Sequence, residues 1–139
     1  MNGCGTAKGE ALVANARRLT RDLNLLVVAI LEDGCSPTNC PEMRTLDCQY
    51  LCATHDKPRE CPATDYILHT LDYTTALLNS SKLFPSRVMI QDGPVQYLHS
   101  STRRLYRIFI HAYEHHNDMF RAFENETGMY TLFLAFAER

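Results

Sequence analysis

The sequence predicts a mainly α-helical fold that is interrupted by one irregular, cysteine-rich segment. Three segments place their apolar residues three and four positions apart, which is the spacing of an amphipathic helix. The irregular segment, residues 35–62, contains four prolines and five of the six cysteines and has no helical period. The length of 139 residues is typical of one domain, because compact domains most often contain roughly 100–150 residues. We therefore expect a single domain over residues 1–139.

The first helix is predicted from about Gly9 to Glu32. Its apolar stripe consists of Leu12, Val13, Ala16, Leu19, Leu23, Leu26, Val27 and Ile30. The dipeptide Asp33-Gly34 ends the helix, because glycine next to aspartate favours a turn. The apolar stripe is therefore expected to face the core of the domain.

The cysteine-rich segment and the second helix come next. The segment has room for one short hairpin around Gln49–Leu51. A second helix is predicted to begin near Pro62, since proline suits the first turn of a helix, and to continue to Leu78. Residues 79–94 contain several helix breakers and are expected to form a loop.

The longest periodic segment predicts one continuous helix from about Val95 to Asn125. Its apolar stripe consists of Leu98, Leu105, Phe109, Ala112, His116, Met119, Phe120 and Phe123. Gly128 permits a break after this helix, and residues 129–137 resemble the start of a further helix.

Composition and motifs exclude several classes of function. The chain has 14 Lys and Arg residues against 16 Asp and Glu residues, a net charge of −2. A nonspecific nucleic-acid binder is disfavoured, because such proteins need a basic surplus. The longest apolar run, Leu25–Leu31, is far shorter than the roughly 20 residues that span a bilayer. No Gly-rich phosphate loop, nucleophile elbow, zinc-protease or kinase motif indicates an enzyme.

Cysteine and histidine form the strongest chemical pattern. Without a convincing export signal, the six cysteines favour free thiols or metal ligands over disulfides. Cys35 and Cys40 lie in the predicted loop, and His111, His115 and His116 lie in the predicted third helix. Two sulfur and two imidazole ligands complete a tetrahedral zinc site that has no position left for water or substrate. The pattern therefore predicts a structural metal.

The identity of the ligands stays open on residue spacing alone. In an ideal helix His111 and His115 lie about 40° apart, whereas His111 and His116 lie about 140° apart, so straight-helix geometry favours His115. A competing cysteine set lies within the same irregular segment: Cys48, Cys52, His55 and Cys61. Buried apolar packing is the non-metal alternative for all of these residues.

A second pattern is the basic run Arg103-Arg104-Leu105-Tyr106-Arg107. Helix geometry places Arg104, Arg107 and His111 within an arc of about 60°, with Arg103 about 40° beyond them. Clustered guanidinium groups bind phosphate through paired hydrogen bonds and are used by phosphopeptide readers. A solvated helix face paired with Asp and Glu is the alternative.

The chain resembles the Mob/phocein family of adaptors in kinase and phosphatase complexes, and within it the phocein-like members. The similarity covers about Ala16 to Phe136. Its motifs are Cys35–Met43, Tyr50–Ala63, Asp65–Tyr66, His69–Asp72, Leu77–Asn79, Phe84–Val88, Arg103–Phe109 and His111–His116.

The resemblance implies a Mob-like helical bundle with a small β-hairpin and a structural zinc site. The family pattern has four residues between its two histidines, which implies these ligands: Cys35, Cys40, His111 and His116. In co-activator relatives the matching arginines bind phosphothreonine or phosphoserine peptides, which implies these phosphopeptide residues: Arg103, Arg104 and Arg107.

The function implied by the resemblance is that of a non-catalytic adaptor. The expected partners are a striatin-type scaffold, protein phosphatase 2A and germinal-centre-type kinases, and the expected place is the cytoplasm, peripheral to internal membranes through those partners. One alternative is a kinase co-activator that binds a kinase N-terminal extension through acidic residues such as Glu10 and Asp22. Another is a thiol enzyme or redox switch that uses Cys52 or Cys61.

The resemblance also implies that the family continues into a further helix where this chain ends. That helix would ordinarily cover part of the core. Phe133 and Phe136 are therefore expected to be exposed as an apolar patch.

Overall fold

The computed structural model describes residues 2–45, 48–79 and 92–137, with side-chain environments from residue 14 onward and, in the last range, from residue 99. Five helices lie within these ranges: α1 (Asn2–Glu32), α2 (Ala63–Leu78), α3 (Asp92–His115), α4 (Asn117–Thr127) and α5 (Met129–Ala137). The predicted mainly α-helical fold is confirmed. None of the described helices is both long enough and apolar enough to cross a membrane.

Helix α1 contributes one wall of the core. Its buried stripe follows the predicted helical spacing and includes Leu19, Leu23, Leu26 and Ile30. The stripe packs against α2, whose inner face includes Tyr66, Ile67, Leu71 and Leu78. Arg17 joins the same two helices by donating a hydrogen bond from Nη2 to the carbonyl of Leu78 (2.7 Å). That carbonyl belongs to the last turn of α2, where helical partners are missing, so the contact satisfies an otherwise open acceptor.

The cysteine-rich segment forms two local pairings instead of one hairpin at Gln49–Leu51. Arg44 pairs antiparallel with Gln49, and Cys52 pairs with Arg59. The predicted hairpin centre therefore lies between these two pairings. Tyr50 donates its backbone N–H to the carbonyl of Met43 (2.7 Å), which extends the first pairing.

The prediction of one continuous helix over residues 95–125 is wrong at its centre. Helix α3 ends at His115 and α4 begins at Asn117, because His116 leaves the helical conformation (φ −138°, ψ 48°). Backbone bonding continues on both sides of the break: His116 donates to Ala112 (2.9 Å), and Phe120 donates to His116 (2.8 Å). The break therefore redirects one side chain without separating the two helices.

The start of α3 also differs from the prediction. Asp92, Gly93 and Pro94 were expected to belong to a loop, but α3 begins at Asp92. Proline is tolerated there, because the N–H groups of the first helical turn have no helical acceptor to bond. Residues 80–91 of the predicted loop lie outside the described residues.

Helix α5 closes the core, and the expectation that its phenylalanines are exposed is wrong. Phe133 and Phe136 are both buried. The ring of Phe133 lies 4.8 Å from that of Phe109 in α3, between centroids. Gly128 permits this return, because its left-handed conformation (φ 63°) turns the chain between α4 and α5.

Candidate functional site

Two distant parts of the chain bring four metal-ligating atoms together. The loop after α1 supplies the sulfurs of Cys35 and Cys40, and the junction of α3 and α4 supplies the imidazoles of His111 and His116. All four side chains are buried, and their ligand atoms lie within 4.8 Å of one another. We call these residues the first cluster. They are the four that the family resemblance implies, and metal binding by them stays a prediction.

The distances within the first cluster fit a tetrahedral zinc site. Zinc binds sulfur at about 2.3 Å and nitrogen at about 2.0–2.1 Å, which gives a sulfur-to-nitrogen edge of about 3.6 Å in a tetrahedron. Cys35 Sγ lies 3.6 Å from His111 Nε2, and Cys40 Sγ lies 3.8 Å from His116 Nε2. The two thiolates would also balance the charge of a divalent ion. The residues present therefore fit the implied metal.

The end of α1 delivers the two cysteines. Gly34 adopts a left-handed conformation (φ 93°), and the backbone N–H groups of Gly34 and Cys35 bond back to Leu31 (3.1 Å) and Ile30 (3.3 Å). These two hydrogen bonds end the helix, and Cys35, directly after Gly34, is buried in the core. Cys40 donates its N–H to the carbonyl of Ser36 (2.7 Å), so one turn of backbone brings the second sulfur to the same side.

The break at His116 decides which histidines join the cluster. In a straight helix His115 would be the partner of His111, but here the Nε2 of His115 lies 3.2 Å from the carbonyl of Arg44, on an exposed side chain. The ring of His111 lies closer to that of His115 (4.7 Å between centroids) than to that of His116 (5.3 Å), but it is His116 whose Nε2 approaches a cysteine sulfur, Cys40 Sγ at 3.8 Å. Straight-helix geometry thus favoured a histidine that lies outside the first cluster, since the backbone is not helical at residue 116.

Burial controls the protonation of the first cluster. Desolvation lowers the pKa of His111 to about 3, with added repulsion from His115 and His116. Desolvation also raises the pKa of the Cys35 thiol to about 12, with a hydrogen bond and charge repulsion from Cys40 and repulsion from Asp33. His111 is therefore neutral and ready to offer a lone pair, whereas a Cys35 thiolate needs a nearby cation to be stable.

One residue of this site was missed by sequence reasoning. Asp33 was interpreted only as the end of α1, yet its Oδ2 accepts a hydrogen bond from Nδ1 of His116 at 2.8 Å. The sequence holds one weak signal for this role, namely that Asp33 lies two residues before Cys35. Its partner lies 83 residues away, which no local pattern indicates.

A second group of cysteines and histidines lies beside the first cluster. Its members are Cys52, His55, Cys61 and His69, with ligand atoms again within 4.8 Å of one another. The competing set in the sequence contained three of these residues but named Cys48 in place of His69. Cys48 is exposed and lies outside the group, whereas His69 comes from α2. We call these four residues the second cluster.

The three predicted phosphopeptide residues lie along α3. Arg103 is exposed, and Arg104 and Arg107 are half-buried. The guanidinium of Arg107 stacks 4.1 Å over the ring of Tyr50, and its Nη1 donates a hydrogen bond to the hydroxyl of Tyr66 (2.7 Å). The guanidinium of Arg104 lies 5.5 Å from the ring centre of Tyr73. We call these three arginines the arginine face.

Aromatic rings and a hydroxyl hold two arginines of this face, Arg104 and Arg107, in place. Arg104 contacts the ring of Tyr73, and Arg107 contacts the ring of Tyr50 and the hydroxyl of Tyr66. Neutral contacts leave the positive charge of the arginines available to an anion.

Comparisons with known proteins show which family and which individual proteins the chain is similar to. The model of the Mob1/phocein family matches residues 5–138. The chain is 48% identical to "MOB kinase activator-like 4" of Drosophila melanogaster and 44% identical to "MOB-like protein phocein" of Caenorhabditis elegans, each over 124 residues, 88% of this chain and 55% of the relative. It is 30% identical to "Maintenance of ploidy protein mob1" of Schizosaccharomyces pombe over 139 residues, 95% of this chain and 65% of that protein. The chain spans about half the length of the first two relatives.

Proposed function

Because the chain belongs to the Mob1/phocein family, we propose that it is a non-catalytic adaptor in a phosphatase and kinase signalling complex. Its proposed partners are a striatin-type scaffold, protein phosphatase 2A and germinal-centre-type kinases. The proposed location is the cytoplasm, next to internal membranes where those partners bring it. One relative carries the name "MOB-like protein phocein", which supports the phocein-like assignment.

The arginine face is the observation that carries this proposal. Arg104 and Arg107 are oriented by tyrosine rings from α2 and from the cysteine-rich segment, and Arg107 also donates a hydrogen bond to the hydroxyl of Tyr66. Oriented guanidinium groups form paired, geometry-specific hydrogen bonds with phosphate oxygens. We infer that the arginine face binds a phosphothreonine or phosphoserine segment of a partner.

The first cluster has a structural role in this proposal. A zinc ion there supplies coordination bonds only, since four protein ligands leave no open position for catalysis. Cys35 and Cys40 would hold the end of α1, and His111 and His116 would hold the α3–α4 junction. The arginine face lies on α3, so the same bonds would also fix its orientation.

The state of the thiols supports a non-catalytic function. A cysteine nucleophile needs a thiolate, usually at an exposed, electropositive position. Burial raises the pKa of the Cys61 thiol, and Cys52 adds to the shift by charge repulsion and a hydrogen bond. Both side chains are buried. These properties disfavour the thiol enzyme that uses Cys52 or Cys61.

Peptide binding tests the proposed phosphate recognition. Fluorescence anisotropy is measured with phosphorylated and unphosphorylated peptides from striatin-type scaffolds and germinal-centre-type kinases. We expect tighter binding of the phosphorylated form and loss of that preference in Arg104→Ala. Arg121→Ala is the matched control, because Arg121 is an exposed arginine of α4. Equal affinity of the wild type for both forms would contradict phosphate recognition.

Affinity purification tests the adaptor assignment separately. The tagged chain, expressed in cells, is expected to copurify with striatin and with the phosphatase 2A catalytic subunit. Recovery of neither protein contradicts the assignment, even if the arginine face binds phosphopeptides.

A kinase co-activator is the second candidate, favoured by the name of one relative, "MOB kinase activator-like 4". Such a protein would bind a basic kinase extension through acidic residues of α1. Replacing Glu10 and Asp22 by lysine should then abolish kinase binding and spare striatin binding. Asp118→Lys, an exposed change on α4, is the control. Unchanged kinase binding rejects this candidate.

A further inference from the structure

We propose that Cys52, His55, Cys61 and His69 bind a second zinc ion, distinct from the ion implied for the first cluster. The ligand atoms of these four residues converge within 4.8 Å. No ligand is shared with the first cluster. The chain would thus hold two structural metals, one with ligands from the start of the cysteine-rich segment and one with ligands from its end.

The sulfur-to-nitrogen distances match those of a tetrahedral site. The edge expected for zinc is about 3.6 Å. Cys52 Sγ lies 3.6 Å from His69 Nδ1, and Cys61 Sγ lies 3.8 Å from the same nitrogen. His55 Nε2 lies 3.3 Å from Cys61 Sγ. The two imidazole rings meet edge to face, with centroids 5.0 Å apart, so both present a nitrogen to the same space.

The backbone builds this arrangement from local pieces. Cys52 and Arg59 exchange two backbone hydrogen bonds (2.7 and 3.2 Å), which close a loop that carries His55. Cys61 follows two residues later, directly before α2, and His69 lies within α2. The spacing is therefore Cys-x2-His-x5-Cys-x7-His. Three ligands come from one short stretch of chain, residues 52–61, and the fourth comes from helix α2. Ligands that are close together in the sequence are typical of small structural zinc sites.

Hydrogen bonding alone explains the second cluster less well than a cation does. His69 Nδ1 faces two sulfurs at once, and a single ring nitrogen can accept or donate only one proton. A metal satisfies all four atoms together, because each donates one lone pair. Thr54 adds a further contact, since its Oγ1 lies 3.1 Å from Cys52 Sγ and can donate a hydrogen bond to a thiolate.

The two clusters are neighbours but separate units. The backbone N–H of Ala63, two residues after Cys61, donates to the carbonyl of Cys40 (3.0 Å). One backbone hydrogen bond therefore links the residues that follow Cys61 of the second cluster to Cys40 of the first cluster. The second metal would tie the loop of His55 to α2, and Tyr50, which stacks on Arg107, lies two residues before Cys52.

Metal stoichiometry of the full chain tests the proposal. The chain is freed of metal by a chelator under reducing conditions and titrated with Co²⁺, and thiolate-to-cobalt absorption is recorded. We expect the absorption to increase up to two equivalents, and native mass spectrometry of the zinc form to show two ions per chain. Saturation after one equivalent, with one zinc ion per chain, overturns the proposal.

Variants assign the two ions to their clusters. Cys52→Ser and His69→Asn are each expected to retain one zinc, as is Cys40→Ser in the first cluster. Cys48→Ser is the matched control and should retain two, because this exposed cysteine lies outside both clusters. Two zinc ions in both Cys52→Ser and His69→Asn overturn the assignment. If these variants lose their helical circular dichroism, His55→Ala decides instead, because His55 is only partly buried and its removal leaves both cysteines in place.

Discussion

Asp33 and His116 form a hydrogen bond of 2.8 Å between Oδ2 and Nδ1, although they lie 83 residues apart in the sequence. A carboxylate can only accept, so Nδ1 of His116 carries the proton. The lone pair of Nε2 then faces Cys40 Sγ at 3.8 Å. A carboxylate behind a metal-binding histidine fixes the orientation of the ring and increases its basicity. The end of α1 thus supports the first cluster twice, through Asp33 and through Cys35.

The first prediction is that Asp33→Ala weakens zinc binding at the first cluster. Loss of such an outer partner typically reduces metal affinity by about 10- to 100-fold. The measurement is competition for zinc with a chromophoric chelator. Glu32→Ala serves as the control, because Glu32 is the adjacent exposed carboxylate. Equal zinc affinity in the two variants would show that the hydrogen bond does not support the metal.

The second prediction concerns the glycine that ends α1. Gly34→Ala is expected to destabilise the fold by about 1 kcal/mol, because its left-handed conformation is unfavourable for alanine. An added Cβ at Gly34 meets no atom closer than the Nδ2 of Asn39 at 3.9 Å, so the penalty is conformational and not steric. Urea unfolding measures it. Gly34→Asn should cost less, since asparagine tolerates this conformation, and an equal cost in both variants would contradict the explanation.

The sequence predicted the fold where packing follows periodicity. Leu23, Leu26 and Ile30 are fully buried because helical spacing places them on one face. The break at His116 was not predictable in this way, since residues on both sides continue the apolar stripe. His116 instead contacts Asp33 and Cys40, which lie in the distant loop after α1, and tertiary interactions of this kind leave no local pattern.

The candidate sites show the same difference between residues that a local pattern identifies and residues that only the folded chain brings together. The sequence named every residue of the first cluster, but only the family pattern chose His116 over His115. Asp33 and His69 were missed as site residues, because each reaches its partners through the folded chain. Helical spacing, by contrast, correctly placed Arg104 and Arg107 on one side of α3, where both contact tyrosine rings.

The third prediction is that metal removal lowers thermal stability. A ligand present at about a thousand times its Kd stabilises the folded state by about 4 kcal/mol. For a chain of this size that corresponds to a fall of about 10 °C in Tm on metal loss. Differential scanning calorimetry with and without chelator measures the change. Cys40→Ser should show part of this fall in Tm, and Cys48→Ser should show no fall. An unchanged wild-type Tm in the presence of chelator would contradict the prediction.

The fourth prediction concerns the buried hydroxyl of Tyr66, which accepts a hydrogen bond from Arg107. Tyr66→Phe should reduce the free energy of unfolding at pH 7 by about 1.5–3 kcal/mol, the usual contribution of a hydrogen bond to a charged group. Urea unfolding of both proteins gives the difference. Tyr73→Phe is the control, since Tyr73 is partly exposed and offers Arg104 only its ring.

The stability advantage of Tyr66 should also depend on pH. Burial raises the pKa of Tyr66 above its ordinary value of 10.0, although Arg107 opposes the shift. Above pH 10 the unfolded chain releases this proton while the folded chain keeps it, so the wild type loses stability as the pH increases. The difference from Tyr66→Phe should therefore shrink above pH 10. A constant difference from pH 8 to pH 11 would contradict the shift.

The fifth prediction links the cysteine-rich segment to phosphate binding. Tyr50 holds the guanidinium of Arg107 at 4.1 Å by stacking and by cation–π attraction. A contact of this type contributes about 0.5–1 kcal/mol at an exposed site, so Tyr50→Ala should weaken phosphopeptide binding about two- to fivefold. Tyr50→Phe should retain the affinity, because the effect depends on the ring and not on the hydroxyl. Tyr113→Ala, at an exposed tyrosine of α3, is the control. If Tyr50→Phe weakens binding as much as Tyr50→Ala does, the hydroxyl and not the ring is the important group, and the stacking explanation is wrong.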